Sequence, residues 1–210
     1  MRIVFLKVCS IFFFLAVLSV VVGCASSKTQ TTHFYILDPG EYTYLPGREI
    51  EQKTIPSVAI TSFRLPQYLE RPQIVTRSSE NRLVLAEFHQ WGGNLRKNMA
   101  RVFAKNLSNL LNTPEIFIYP DIPPSPPDFR VELTVMKFER DADRKVRLSV
   151  QWRLTREQDR QHLKTQITDL ESPSISEASD MTGTVRTMSR LLEELSIIIS
   201  KELSTFADSR

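Results

Sequence analysis

Two alternating stretches on either side of a short polar connection set the architecture before anything else is considered. Phe129, Val131, Leu133 and Val135 alternate with Arg130, Glu132 and Thr134. After Asp141-Ala142-Asp143-Arg144 the pattern resumes: Val146, Leu148, Val150, Trp152 and Leu154 alternate with Arg147, Ser149, Gln151 and Arg153. Consecutive side chains on a strand point to opposite faces, so a period of two means one dry face and one wet face. The short polar run between them reads as a hairpin connection. Leu163, Thr165 and Ile167 give a weaker third strand. A meander of this kind needs a helical layer over its apolar side.

Two segments have the periodicity of that layer. Leu95, Met99, Val102, Phe103, Leu107, Leu110 and Leu111 fall at spacings of three and four, with Gly92-Gly93 breaking the preceding run and Asn94 placed to cap the helix. Met181, Val185, Met188, Leu192, Leu195 and Ile199 repeat the spacing near the C-terminus, and Leu191 and Ile198 widen the stripe. Further strands are expected at Ile55–Phe63, at Gln73–Arg77 and Arg82–Ala86 around the turn-like 78–81, and at Glu115–Tyr119. The run Asp121–Asp128 holds four prolines and reads as a loop. The expectation is an α+β fold, a mostly antiparallel sheet with two main helices packed on one side, formed by a single domain over residues 55–206.

The N-terminus is organised differently. Arg2 and Lys7 are followed by an uncharged stretch from Val8 to Ser27. A basic start, an apolar core and a small residue before the exit describe a secretory signal, although the length would also suit a membrane anchor. Val21-Val22-Gly23-Cys24 decides for the signal, because it resembles the bacterial lipobox. The thiol of Cys24 accepts diacylglycerol, and Gly23 leaves room for the peptidase. Residues 1–23 are therefore expected to leave as a lipoprotein signal peptide. Residues 24–54 would be the lipidated cysteine, a small polar tether and an N-terminal extended segment. Cys9 leaves with the signal, so no intramolecular disulfide is expected. The covalent groups expected on Cys24 are S-diacylglycerol and an N-acyl chain; each buried methylene contributes about 0.8 kcal/mol, and two or more chains anchor stably. Ala25 and Ser26 follow, with no Asp beside the cysteine. In the Gram-negative lipoproteins that it resembles, this pattern goes with the outer membrane, the chain facing the periplasm.

Charge and motifs narrow the function classes. Lys plus Arg is 27 against 24 for Asp plus Glu, a net of +3, which argues against a nucleic-acid protein built on bulk charge. Three histidines and two cysteines leave little for a metal site, and no cofactor is expected. No nucleophile elbow, P-loop, dinucleotide fingerprint or H-E-x-x-H motif is present. His89, in Glu87-Phe88-His89-Gln90-Trp91, reads as a structural residue beside two aromatics. The expectation is that the protein is not an enzyme.

Surfaces remain. Arg96, Lys97, Arg101 and Lys105 lie opposite the apolar stripe of the first helix, either as a solvated face or as a site for headgroups or an acidic partner. The proline-rich loop at 121–128 is either a stiff docking segment or only a connection. In Arg71-Pro72-Gln73-Ile74-Val75-Thr76-Arg77, Pro72 fixes the start of a strand, Ile74 and Val75 occupy opposite faces, and Arg71 and Arg77 are expected outside it. These two arginines either pin loops through ion pairs or face a partner chain.

That segment resembles the R-P-Q-I-V-x-R signature of the ABC-type transport auxiliary lipoproteins, the PqiC/YmbA-like family. Phe34-Tyr35-Ile36-Leu37-Asp38, Leu65-Pro66-Gln67-Tyr68-Leu69-Glu70 and Trp91 with Leu95 resemble the family's flanking segments in order. Gly92-Gly93 departs from its more usual small and acidic residues. The resemblance implies an outer-membrane lipoprotein subunit of a system in which an MCE-domain protein carries lipids between membranes. The MCE protein and its inner-membrane transport subunits would be its partners. Arg71, Arg77, Arg101 and Lys105 are the candidate contacts. A partner with cyclic symmetry would impose a homo-oligomeric ring. A structural envelope lipoprotein that binds peptidoglycan or assists outer-membrane assembly is the alternative.

Overall fold

The computed structural model describes residues 30–40, 56–121, 123–176 and 181–208. The expected signal peptide, Cys24 and most of the 24–54 segment lie outside the described residues. The strands are β1 (His33–Tyr35), β2 (Val58–Arg64), β3 (Gln73–Ser79), β4 (Arg82–Trp91), β5 (Ile116–Ile118), β6 (Phe129–Arg140), β7 (Val146–Arg156) and β8 (His162–Glu171). Two α-helices accompany them, α1 (Leu95–Leu110) and α2 (Met181–Asp208).

The expected hairpin is the spine of the sheet. β6 and β7 pair antiparallel from Phe129↔Arg156 to Arg140↔Val146, and β8 pairs antiparallel with β7. Asp141 N–H donates to the Lys145 carbonyl at 2.8 Å, and Arg144 closes the turn with φ 61°. On its other edge β6 has two neighbours in succession. β2 runs parallel to its first half, and β3 meets it only at Thr76↔Arg140. Beyond β2 lies β5, also parallel; beyond β3 lie antiparallel β4 and then parallel β1. The longest ladders are antiparallel, as expected, but the sheet is mixed. Alternation within a strand specifies its faces and says nothing about the direction of its partner.

Both helices cover the dry face. Phe129, Leu133, Val150, Trp152 and Leu154 from the sheet meet Phe103 and Leu107 of α1 and Leu192, Leu195 and Leu203 of α2 in one core, all of them fully buried. α1 starts where Asn94 Oδ1 accepts the Lys97 N–H at 3.0 Å, an N-cap contact that satisfies one of the free amides of its first turn. Among the described residues no helix is long and apolar enough to cross a membrane.

Three local outcomes differ from the sequence pattern. β4 runs to Trp91, five residues past the expected end, because β1 pairs with its last three residues, His33↔His89 to Tyr35↔Trp91. Gly92 permits this approach: its N–H donates to the Tyr35 carbonyl at 2.7 Å, and a β-carbon there would lie 3.1 Å from Ile36 Cγ2. On β8 the register Trp152↔Gln166 and Leu148↔Leu170 turns the even-numbered residues toward the helices. Ile167 therefore faces outward and is 51% exposed. Lys164, in its place, lies over the Trp152 ring at 5.7 Å and pairs with Glu202 of α2 at 2.6 Å. A long aliphatic stem lets a charged residue cover a dry surface. Finally, Ile74 and Val75 are both buried although they point to opposite faces of β3.

Candidate docking surface

The signature strand shows what covers the second face. Tyr68, in the short helical turn Gln67–Leu69, donates its hydroxyl to Glu139 Oε2 at 2.7 Å. Arg77 donates to the other oxygen, from Nε at 3.0 Å and Nη2 at 2.8 Å. The Phe138 amide donates to Oε2 at 3.0 Å. Glu139 is fully buried, and a buried carboxylate needs this number of charge-assisted donors. A bulge in β6 between Val135 and Lys137 creates the position. It shifts the phase so that Phe138 continues the dry face and Glu139 lies on the other. Burial, followed by the neighbouring carboxylate, raises the Tyr68 phenol above its ordinary value. The hydrogen bonds to Glu139 are the main cause that raises the Arg77 guanidinium. Arg77 thus lies within β3 rather than outside it.

A groove opens beside β2, next to the first half of β6. The last β2–β5 pair is Ile60↔Ile118, and Tyr119 N–H donates to the Ile60 carbonyl at 3.0 Å. There the β5 chain turns away, Asp121 N–H reaching back to the Ile118 carbonyl at 2.9 Å. β2 continues to Arg64 with β6 as its partner, after a bulge between Ile60 and Ser62. α1 lies alongside. The space between has a volume of about 700 Å³. Its apolar part is Ile60, Phe63, Ala100 and Ile118, and its cations are Arg64, Arg96, Lys97 and Arg101. Phe63 is held by the edge of Phe103, ring centroids 6.3 Å apart. Tyr119 stands at the rim and is 73% exposed.

The four candidate contacts do not converge. Arg101 lines the groove; Lys105 follows one turn later on the same exposed face, outside the lining. Arg71 is exposed next to Glu70, which pairs with Arg96 at 3.5 Å, so the signature's start lies near the helix. Arg77 is held elsewhere by Glu139. Arg64 and Tyr119, which the sequence reading did not select, belong to the groove because β5 is short. The alternation that slips from Val135 to Phe138 was the available sign of Glu139. His89 packs structurally: the Tyr35 hydroxyl and His89 Nδ1 are 2.8 Å apart and His33 stacks on the ring at 5.6 Å. Among the described residues no cluster of three or more His, Cys, Asp or Glu is placed to hold a metal.

Comparison with known proteins places this architecture. A crystal structure of an uncharacterized protein superposes with a TM-score of 0.64 at 19% identity, covering 82% of this chain and 99% of the other. A crystal structure of a protein from Xanthomonas campestris gives 0.62 at 10% identity, covering 86% and 97%. At these identities the likeness is one of fold. Among curated proteins none matches. The family match is more direct, since residues 44–200 fit the family described as the ABC-type transport auxiliary lipoprotein component, a transport family rather than an enzyme family. With that match spanning β2 to β8, α1 and most of α2, the chain belongs to the ABC-type transport auxiliary lipoprotein family.

Proposed function

We propose that the protein is the outer-membrane-anchored periplasmic subunit of an MCE-type intermembrane lipid transport system. Cys24 carries the N-acyl and S-diacylglycerol anchor, and the folded body docks the MCE protein at that membrane. The observation that supports this most is the coincidence of two features in one chain. The family match covers residues 44–200, and only eight residues separate a lipobox cysteine from β1. Eight extended residues reach at most about 29 Å, so a lipid on Cys24 keeps β1 near its bilayer. Phe34 and Ile36, 67% and 56% exposed, are the first large apolar side chains after the tether.

The test is affinity purification of the native lipoprotein from detergent-solubilised outer membranes. Recovery of an MCE-domain protein with its inner-membrane transport subunits is the expected result. Recovery of peptidoglycan fragments or outer-membrane assembly factors, with an MCE protein present in the cells but absent from the eluate, overturns the proposal in favour of a structural envelope lipoprotein.

A further inference from the structure

The groove between β2, α1 and the Tyr119 turn combines three properties. First, it borders an open sheet edge. Ser62, Phe63 and Arg64 pair with β6 on one side, and the strand that covers the other side ends at Ile118. An unpaired edge of this kind is a template for an added strand. Second, it is cationic where helix physics disfavours cations. Arg96 and Lys97 occupy the first turn of α1, which has no acidic residue, and the helix N-terminus already carries partial positive charge. Arg64 and Arg101 add to them, against Asp121 as the carboxylate in the lining and Glu70, which pairs with Arg96 at 3.5 Å. Third, the Thr61 hydroxyl, at the β2 bulge in the same lining, is buried with no hydrogen-bond partner among the described residues. A buried hydroxyl without a partner costs free energy that an incoming polar group recovers.

We propose that this groove is the docking site for an extended acidic peptide segment of the partner transport subunit, which adds as a strand along Ser62–Arg64 and sets its carboxylates against Arg64, Arg96, Lys97 and Arg101. The inference rests on the docking function proposed above and names its site. A lipid headgroup would satisfy the cations, but it would leave the backbone edge of β2 unpaired. An extended peptide satisfies both, and its apolar side chains on the α1 side meet Ile60 and Phe63.

The experiment is site-specific photocrosslinking of the full-length lipoprotein in native membranes, with a photoreactive residue at position 119 and, separately, at position 164 on the β8 side. The site predicts that the position-119 adduct is an acidic peptide of the partner. Its yield falls at least tenfold in Lys97→Glu/Arg101→Glu, a pair of exposed positions whose fold is checked by circular dichroism. A phospholipid adduct at position 119 overturns the peptide assignment. Partner adducts at position 164 but not at 119 overturn the groove and leave the docking function standing. Partner adducts at neither position, with an intact partner in the same membranes, count against both. Retained yield in the folded double variant overturns the electrostatic part.

Discussion

Arg77 and Glu139, 62 residues apart, form a two-point ion pair in which the carboxylate is fully buried and the guanidinium is 22% exposed. The pair joins β3 to β6 where the two strands share the single contact Thr76↔Arg140. What fastens this junction of the sheet is therefore largely side-chain chemistry, and Tyr68 completes it from the turn before the signature strand.

Removing one partner leaves a buried charge without compensation, which costs about 3–5 kcal/mol. Arg77→Ala is expected to lower unfolding stability by that amount in urea titration. If Arg77 served only as a surface contact, stability would be unchanged, so a shift below about 0.5 kcal/mol contradicts the structural role.

Tyr68 gives the junction a pH dependence. Its pKa in the folded state lies above the unfolded value of about 10, so folding favours the protonated phenol. The contribution is complete below pH 10 and is lost as pH rises from there through the folded value. Tyr68→Phe is expected to flatten this alkaline decline in a pH series of urea titrations and to cost about 1 kcal/mol at neutral pH. An unchanged alkaline decline in the variant removes Tyr68 as its source.

Asn98 docks the chain that leads in from the tether. Its Oδ1 accepts the Leu37 amide at 2.8 Å and its Nδ2 donates to the Leu37 carbonyl at 3.2 Å, and Leu37 itself is buried. Asn98→Ala leaves both backbone groups unpaired, at about 1–3 kcal/mol. Hydrogen exchange should show faster exchange at Leu37 and in β1 than in β7. Equal protection before and after the substitution contradicts the docking role.

Core and outer face are separable in the same way. Leu195→Ala, at a fully buried position of α2, is expected to cost about 2–5 kcal/mol, and Ile167→Ala, on the exposed face of β8, less than about 0.5 kcal/mol. Thermal unfolding of the two variants measures both. Equal losses would mean that the outer face of β8 is packed as tightly as the core.

The parts of the fold legible in the sequence were those set by local periodicity. The β6–β7 hairpin, the Asn94 cap and the two helix stripes follow from side-chain direction alone. The less legible parts depend on long-range pairing. Nothing local in Val58–Arg64 says that both its neighbours run parallel to it. Nothing in His33–Tyr35 says that it pairs with β4. The strand at β8 was expected, but its dry face was not legible from hydrophobicity, because Lys164 covers Trp152 with its stem. The candidate contacts were half legible. Arg96, Lys97 and Arg101 stood out as one helix face, whereas Arg64 and Tyr119 join them only because β5 stops at Ile118. Arg77 read either as an ion-paired or as a partner-facing arginine, and the bulge in β6 decides for the ion pair by placing Glu139 beneath it.

The docking function is tested most directly by reconstitution. The mature lipoprotein, acylated at Cys24, would be displayed on phospholipid vesicles and titrated by biolayer interferometry with the purified periplasmic region of the MCE protein from the same cells. Saturable binding that is lost when Cys24→Ser keeps the lipoprotein off the vesicles is the predicted result. No binding by the acylated, folded lipoprotein at any concentration tested would contradict the account.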